Sequence, residues 1–102
     1  MRVRIYSSAR RDLRRYRSDQ ELQKLERAFE SISQNPMVGV PKHGALEGTR
    51  ALDLNMPDGA HRIAYIFCRE EQACVVFAVG PHDKAYERAQ RRVRSMRKLG
   101  LL

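Results

Sequence analysis

The sequence predicts an α+β domain of order β-α-α-β-β-β-α, an antiparallel sheet with an N-terminal helical hairpin and a C-terminal helix. Three observations predict it. Between His61 and Gly80 run two apolar stretches compatible with a period of two, separated by the charged turn Glu70-Glu71-Gln72. Pro57-Asp58-Gly59 joins the first of them to another alternating stretch upstream. Before and after this block, apolar residues recur at spacings of three and four, the signature of helices with one buried stripe. With 102 residues there is room for one modest core, and residues 1–102 are read as a single domain.

Taken in order, Arg2 to Tyr6 alternates with Val3 and Ile5 inward and reads as a short strand. Ser7-Ser8 then offers a helix start, and Ala9, Leu13 and Tyr16 form a stripe for a helix to about Arg17. Its other face carries Arg10, Arg11, Arg14 and Arg15. Ser18-Asp19-Gln20-Glu21 is a capping box, in which hydroxyl and carboxylate satisfy each other's free amides. The helix it opens buries Leu22, Leu25, Phe29 and Ile32, and Asn35-Pro36 ends it. These two helices share an apolar seam and are expected to pack together on one face of the sheet.

Met37 to Thr49 is read as a loop, rich in Gly and Pro and carrying Lys42, His43 and Glu47. Arg50 to Met56 alternates through Leu52 and Leu54 and is a strand. In the next strand Ile63, Tyr65 and Phe67 fall on one face, Arg62, Ala64, Ile66 and Cys68 on the other. The last strand sets Val75, Phe77 and Val79 against Cys74, Val76, Ala78 and Gly80. Both faces of this pair are mostly apolar, so it is expected at the centre of the sheet and covered on both sides. Asp83 is placed to cap a final helix with the stripe Ala85, Ala89, Val93 and Met96, and Gly100 suits its end.

Lys and Arg number 20 against 12 Asp and Glu, a net charge of +8, and only Lys24, Lys42, Lys84 and Lys98 are lysines. Guanidinium grips phosphate through a planar fork, so nucleic acid is the leading partner class, followed by an acidic protein. Seven basic residues lie in Arg2–Arg17 and seven in Lys84–Lys98, more than solubility requires. No stretch approaches the ~20 apolar residues that span a bilayer, and because Met1-Arg2-Val3-Arg4 leads straight into a strand no leader is expected. A cytoplasmic protein with no membrane partner is expected. Cys68 and Cys74 read as reduced core or near-core thiols, and their number and spacing argue against a zinc site.

One apolar strand carries a misfit. Arg62 would be costly beside such a pair without a counter-charge or a ligand. Where the next strand meets a helix stand His82, Asp83, Lys84 and Tyr86, so a cation and several titratable groups are expected at one end of the sheet. Arg62 could equally be held by Asp53 or Glu47, His82 could serve the helix start, and Tyr86 could be core. Flanking its turn, His61 reads as structural.

Four features give the chain a family likeness over essentially its whole length: the short strand with its basic helical hairpin, Leu46-Glu47-Gly48-Thr49-Arg50, His61-Arg62-Ile63-Ala64-Tyr65, and Val79-Gly80-Pro81-His82 leading to Tyr86. By these the chain resembles the RelE/ParE superfamily of bacterial type II toxins. The resemblance implies the RelE-like fold and a toxin neutralised by a cognate antitoxin, through an acidic or amphipathic segment that wraps it. RelE-type members are endoribonucleases that cut mRNA, often on the ribosome; ParE-type members act on DNA gyrase and lack the nuclease residues. A degenerate member would bind only its antitoxin and, through it, operator DNA.

Carried onto this sequence, the RelE likeness implies Arg62 at the scissile phosphate, His82 as a proton-transfer group, Tyr86 orienting the substrate and Glu47 as an alternative base. It implies Lys42, His43 and Arg50 as RNA-binding residues, and Lys84, in the cluster at the start of the last helix, is read as another. The chemistry it implies is attack of a ribose 2′-hydroxyl on the adjacent phosphate, with no metal and no other cofactor. That step needs a base, an acid for the leaving oxygen, and cations for the charge developing on phosphorus; imidazole and guanidinium suit these tasks.

Overall fold

The computed structural model describes all 102 residues. Its elements are β1 (Arg2–Ile5), α1 (Ser7–Leu13), α2 (Asp19–Gln34), β2 (Val40–Pro41), a 3₁₀ turn (Gly44–Leu46), β3 (Arg50–Met56), β4 (Gly59–Cys68), β5 (Ala73–Pro81) and α3 (His82–Lys98). The strands form one sheet of order β1-β5-β4-β3-β2. On one face Ala9, Tyr16, Leu25, Ala28 and Ile32 of the helical hairpin pack on Ile63, Tyr65 and Val76. On the other, Ala89, Val93 and Met96 of α3 pack on Ala64, Ile66 and Phe77. The result is an α+β domain with the central β4–β5 pair covered on both sides.

Local signals place several boundaries. The capping box forms as the sequence dictates: the Ser18 hydroxyl accepts from the Glu21 amide at 3.1 Å and Glu21 Oε1 from the Ser18 amide at 3.3 Å. Pro57-Asp58 makes a two-residue turn between Met56 and Gly59. At the far end Gly100, with φ of 76°, lets Leu101 N–H reach Met96 O and Gly100 N–H reach Arg97 O, which closes α3.

Elsewhere the structure corrects the sequence reading. The sheet is mixed, because β1 pairs with β5 in parallel while every other pair is antiparallel. Parallel neighbours need a crossover, and here the whole intervening chain supplies it. Residues 37–49 are not all loop, since Val40–Pro41 adds an edge strand against Arg50–Ala51. The first helix ends at Leu13 instead of near Arg17. Neither terminal helix is capped by the expected side chain: the N-cap positions are Tyr6 and Pro81, with no side-chain hydrogen bond at either. Asp83 sits within the first turn of α3, where its charge complements the helix dipole.

The alternation read for β5 also breaks. Ala64 pairs with Ala78 but Tyr65 pairs with Val76, leaving Phe77 as an extra residue. Such a bulge shifts the parity of the strand. Cys74, Val76 and Val79 therefore pack toward the helical hairpin, and Phe77 with Ala78 toward α3. By the same register Cys74 stands opposite Phe67 and Cys68 opposite Ala73, and the two free thiols belong to opposite faces. Burial pushes both thiols above their usual range.

Beyond the short β1, the outer edge of β5 is closed by side chains. Ser8 Oγ and Arg92 Nη1 donate to Phe77 O at 3.2 and 3.0 Å, Val79 N–H donates to Asp12 Oδ2 at 3.0 Å, and Arg88 Nη1 donates to Val79 O at 2.7 Å. Asp12, 4 % exposed, ties the layers together. Arg92 donates to both its oxygens, at 2.6 and 3.0 Å, and Arg88 lies 3.7 Å away. Gly80 makes room for this cluster, since a Cβ there would stand 2.5 Å from Arg88 Nη1.

Candidate functional site

An open depression of about 630 Å³ lies between β4 and the first turns of α3, lined by Lys42, Arg62, His82, Asp83, Tyr86 and Glu87. Three elements supply it. Arg62 comes from β4, on the face that Ala64 and Ile66 turn toward α3. Directly after β5, Pro81 turns the chain, so that His82 is the first helical residue and Tyr86 follows one turn later. Lys42 follows β2 and is pinned by its amide to Thr49 O at 2.9 Å. The last strand's exit thus brings His82 and Tyr86 to the strand that carries Arg62.

Arg62 is part-buried, with its side chain 12 % exposed. Its Nε donates to Asp53 Oδ1 at 2.7 Å and its Nη2 to Asp53 Oδ2 at 3.3 Å. The two residues are direct cross-strand partners on β3 and β4, which is why they meet. Hydrogen bonding to Arg62 holds the Asp53 carboxyl below its usual range, against a smaller opposing effect of burial; the charges of Arg62, His82 and Lys42 add to the lowering. Arg62 is therefore held by Asp53, not by Glu47. His82 Nδ1 lies 3.3 Å from Asp83 Oδ1, and the half-exposed Tyr86 accepts from Gln90 Nε2 at 3.1 Å.

The remaining residues singled out from the sequence lie elsewhere. Glu47 and His43 form an exposed pair at 3.3 Å in a neighbouring hollow that also contains Arg50, and Lys42 borders both hollows. Arg50 Nη1 donates to Met37 O at 3.2 Å and Gly39 O at 2.7 Å. Tyr65 works with it, donating to Pro36 O at 2.7 Å and accepting from Gly39 N–H at 2.8 Å. Arg50 thus secures the segment leading into β2. Lys84 lies on the opposite flank of α3, in a cleft with Asp12, Arg15 and Tyr16, and approaches Glu87 at 3.9 Å. His61 is buried, its Nδ1 2.6 Å from the Tyr16 hydroxyl and its Nε2 2.8 Å from Asp58 Oδ1.

Sequence reasoning missed the Asp12–Arg88–Arg92 cluster and the place of Glu87 at the depression. A signal for the cluster existed: Asp12 lies three residues after Ala9, and Arg88 and Arg92 three after Ala85 and Ala89, all beside buried stripes. No group of three or more His, Cys, Asp or Glu side chains is arranged as metal ligands would be. What the depression does present is two cationic side chains, an imidazole and a phenol, next to two acids at its helix side. Such a set can bind a phosphodiester and move a proton.

Solved structures place this architecture. The toxin–antitoxin complex RelBE2 of Mycobacterium tuberculosis contains a chain with 28 % identity and a TM-score of 0.68, covering 79 % of this chain and 96 % of that one. A mutant of the E. coli toxin RelE in the free state superposes with a TM-score of 0.70 at 18 % identity, covering 90 % and 96 %. The intact E. coli RelBE toxin–antitoxin complex contributes a chain with a TM-score of 0.62 at 16 % identity, covering 78 % and 94 %. The fold is that of RelE toxins. A model of the ParE-like toxins of type II bacterial toxin–antitoxin systems matches residues 3–90, and the chain belongs to that family. No curated protein sequence matches it.

Proposed function

We propose that this toxin is a metal-independent endoribonuclease that cleaves mRNA by 2′-hydroxyl attack and is held inactive by a cognate antitoxin. The observation that carries the reading is the meeting of Arg62, His82 and Tyr86, with Lys42, around one open depression. Arg62 and Lys42 offer positive charge to the scissile phosphate and to the charge that develops on it. His82 exchanges the proton of the attacking or leaving oxygen, and Tyr86 orients the nucleotide. Glu47 and His43 stand on the neighbouring hollow, within the path of a longer strand that crosses Lys42. Complexes of related toxins with their antitoxins support an antitoxin here. Its acidic side chains would meet the arginines of α1 or α3 in the cytoplasm and compete with RNA.

The test is incubation of the purified chain with end-labelled RNA, free and on ribosomes, in the presence of a chelator. Discrete new ends, absent with Arg62→Ala, are expected; intact RNA in both settings overturns the reading. A second reading draws on the ParE-like family match and on the Asp53–Arg62 ion pair, which already gives Arg62 a partner. On it the protein binds DNA gyrase and cuts nothing. Inducible expression separates the two: growth arrest with new mRNA ends favours the nuclease, and stable mRNA with DNA-damage signalling favours gyrase.

A further inference from the structure

We propose that Asp53 is the positioning residue of the depression: it aligns Arg62 for a phosphate and, as a fixed anion beside it, weakens ground-state binding of that phosphate. The inference rests on the nuclease reading and assigns its site a carboxylate other than Glu47.

The geometry defines what Arg62 has left to offer. A guanidinium carries five N–H bonds in a rigid plane. Asp53 takes the Nε–H and one Nη2–H, at 2.7 and 3.3 Å, so three donors on the Nη edge remain for a ligand. A bidentate partner on the Nε side fixes the plane and direction of the fork. Without it the long side chain regains rotamer freedom, and a phosphate could be gripped through either edge. The two residues are held opposite each other by the β3–β4 ladder, and Asp53 is the more open partner, 56 % exposed against 12 %.

Asp53 lines a hollow beside Lys24 and Arg27 of α2 and not the depression itself, so its charge reaches the depression through Arg62, its cross-strand partner. The charges of His82 and Lys42, beyond that of Arg62, favour its ionised form. It therefore presents a negative charge to any phosphate drawn in by these groups. A phosphodiester brings a second anion into this field. Binding is weakened by the repulsion, while the surviving binding mode has Arg62 correctly aimed. Removing Asp53 should then move affinity and turnover in opposite directions. A residue that only braces the two strands would change neither.

The experiment uses the full chain, wild type, Asp53→Asn and Asp53→Ala, with a 2′-O-methyl oligoribonucleotide as uncleavable probe and its ribose counterpart as substrate. Asp53→Asn should bind the probe about three- to tenfold more tightly, the size of one screened charge–charge interaction. Its salt dependence should steepen by up to about one ion, since one protein anion no longer opposes the phosphates. Single-turnover cleavage should slow, by about tenfold for Asn, which keeps one acceptor, and by about 10²-fold for Ala. Unchanged affinity and unchanged cleavage in Asp53→Ala would overturn the inference, as would a variant that no longer folds, since that makes the pair structural. A wild-type chain that binds the probe but cleaves nothing overturns the nuclease reading instead. In that case the affinity and salt comparison still decides whether Asp53 opposes the phosphate.

Discussion

Asp12→Ala is expected to be the most damaging single substitution outside the apolar core. It removes the acceptor of two Arg92 hydrogen bonds and of the Val79 amide, and the counter-charge 3.7 Å from Arg88. Arg88 is 8 % exposed, so it would remain as a buried cation whose only strong contact is the Val79 carbonyl. Deleting one partner of a buried ion pair costs about 3–5 kcal/mol. An orphaned buried amide costs about 1–3 kcal/mol. The two overlap, because water that enters the vacated space relieves both, and a total of about 4 kcal/mol is reasonable against the 5–15 kcal/mol typical of a domain. At this chain length, roughly 15–30 °C of melting temperature would be lost. Asp12→Asn keeps the shape and one acceptor and should lose about half as much. Urea unfolding monitored by circular dichroism gives both numbers. A loss below about 1 kcal/mol for Asp12→Ala would show that the cluster is as weak as a surface ion pair, and the assignment of the β5 edge would fail.

Three further outcomes are expected. His82→Gln and Tyr86→Phe should each slow RNA cleavage with little change in melting temperature; a wild-type rate flat between pH 5 and 8, and unchanged in His82→Gln, would remove imidazole proton transfer from the step. Arg50→Ala should cost about 1.5–3 kcal/mol and speed exchange of the Gly39 amide, because it frees the Met37 and Gly39 carbonyls; unaltered exchange would show that Tyr65 alone holds the segment. Burial pushes the Tyr16 phenol up to about 12, from near 10 in the unfolded chain. The unfolded state then loses this proton first, so stability falls as pH rises from about 10 toward 12; Tyr16→Phe should flatten that part of the stability profile, and an unchanged slope would refute it.

Much of the fold was legible because its causes are local. The capping box at Ser18–Glu21, the turn at Pro57-Asp58-Gly59 and the glycine stop at Gly100 each act within a few residues, and the apolar stripes of α2 and α3 show most of their buried faces without reference to the sheet, although Leu22, read as buried, is exposed in the first turn of α2. Arg62 stood out for a similar reason, as a charge inside an apolar strand, and the exit of β5 into α3 located His82 and Tyr86. What the sequence left open depends on partners far along the chain. Whether β1 runs parallel to β5 is decided by strand pairing and by α1 closing the edge, contacts between residues roughly 70 positions apart, and which residue of β5 is squeezed out as a bulge is decided by its register on β4. The same holds for the cations. Arg50, Arg62, Lys84, Arg88 and Arg92 are chemically similar in the sequence, yet one secures a loop, one joins Asp53 at the depression, one lies across α3, and two are sealed against Asp12. A charged side chain goes where its charge is compensated, and only the assembled sheet and helices determine which carboxylate or carbonyl is within its reach.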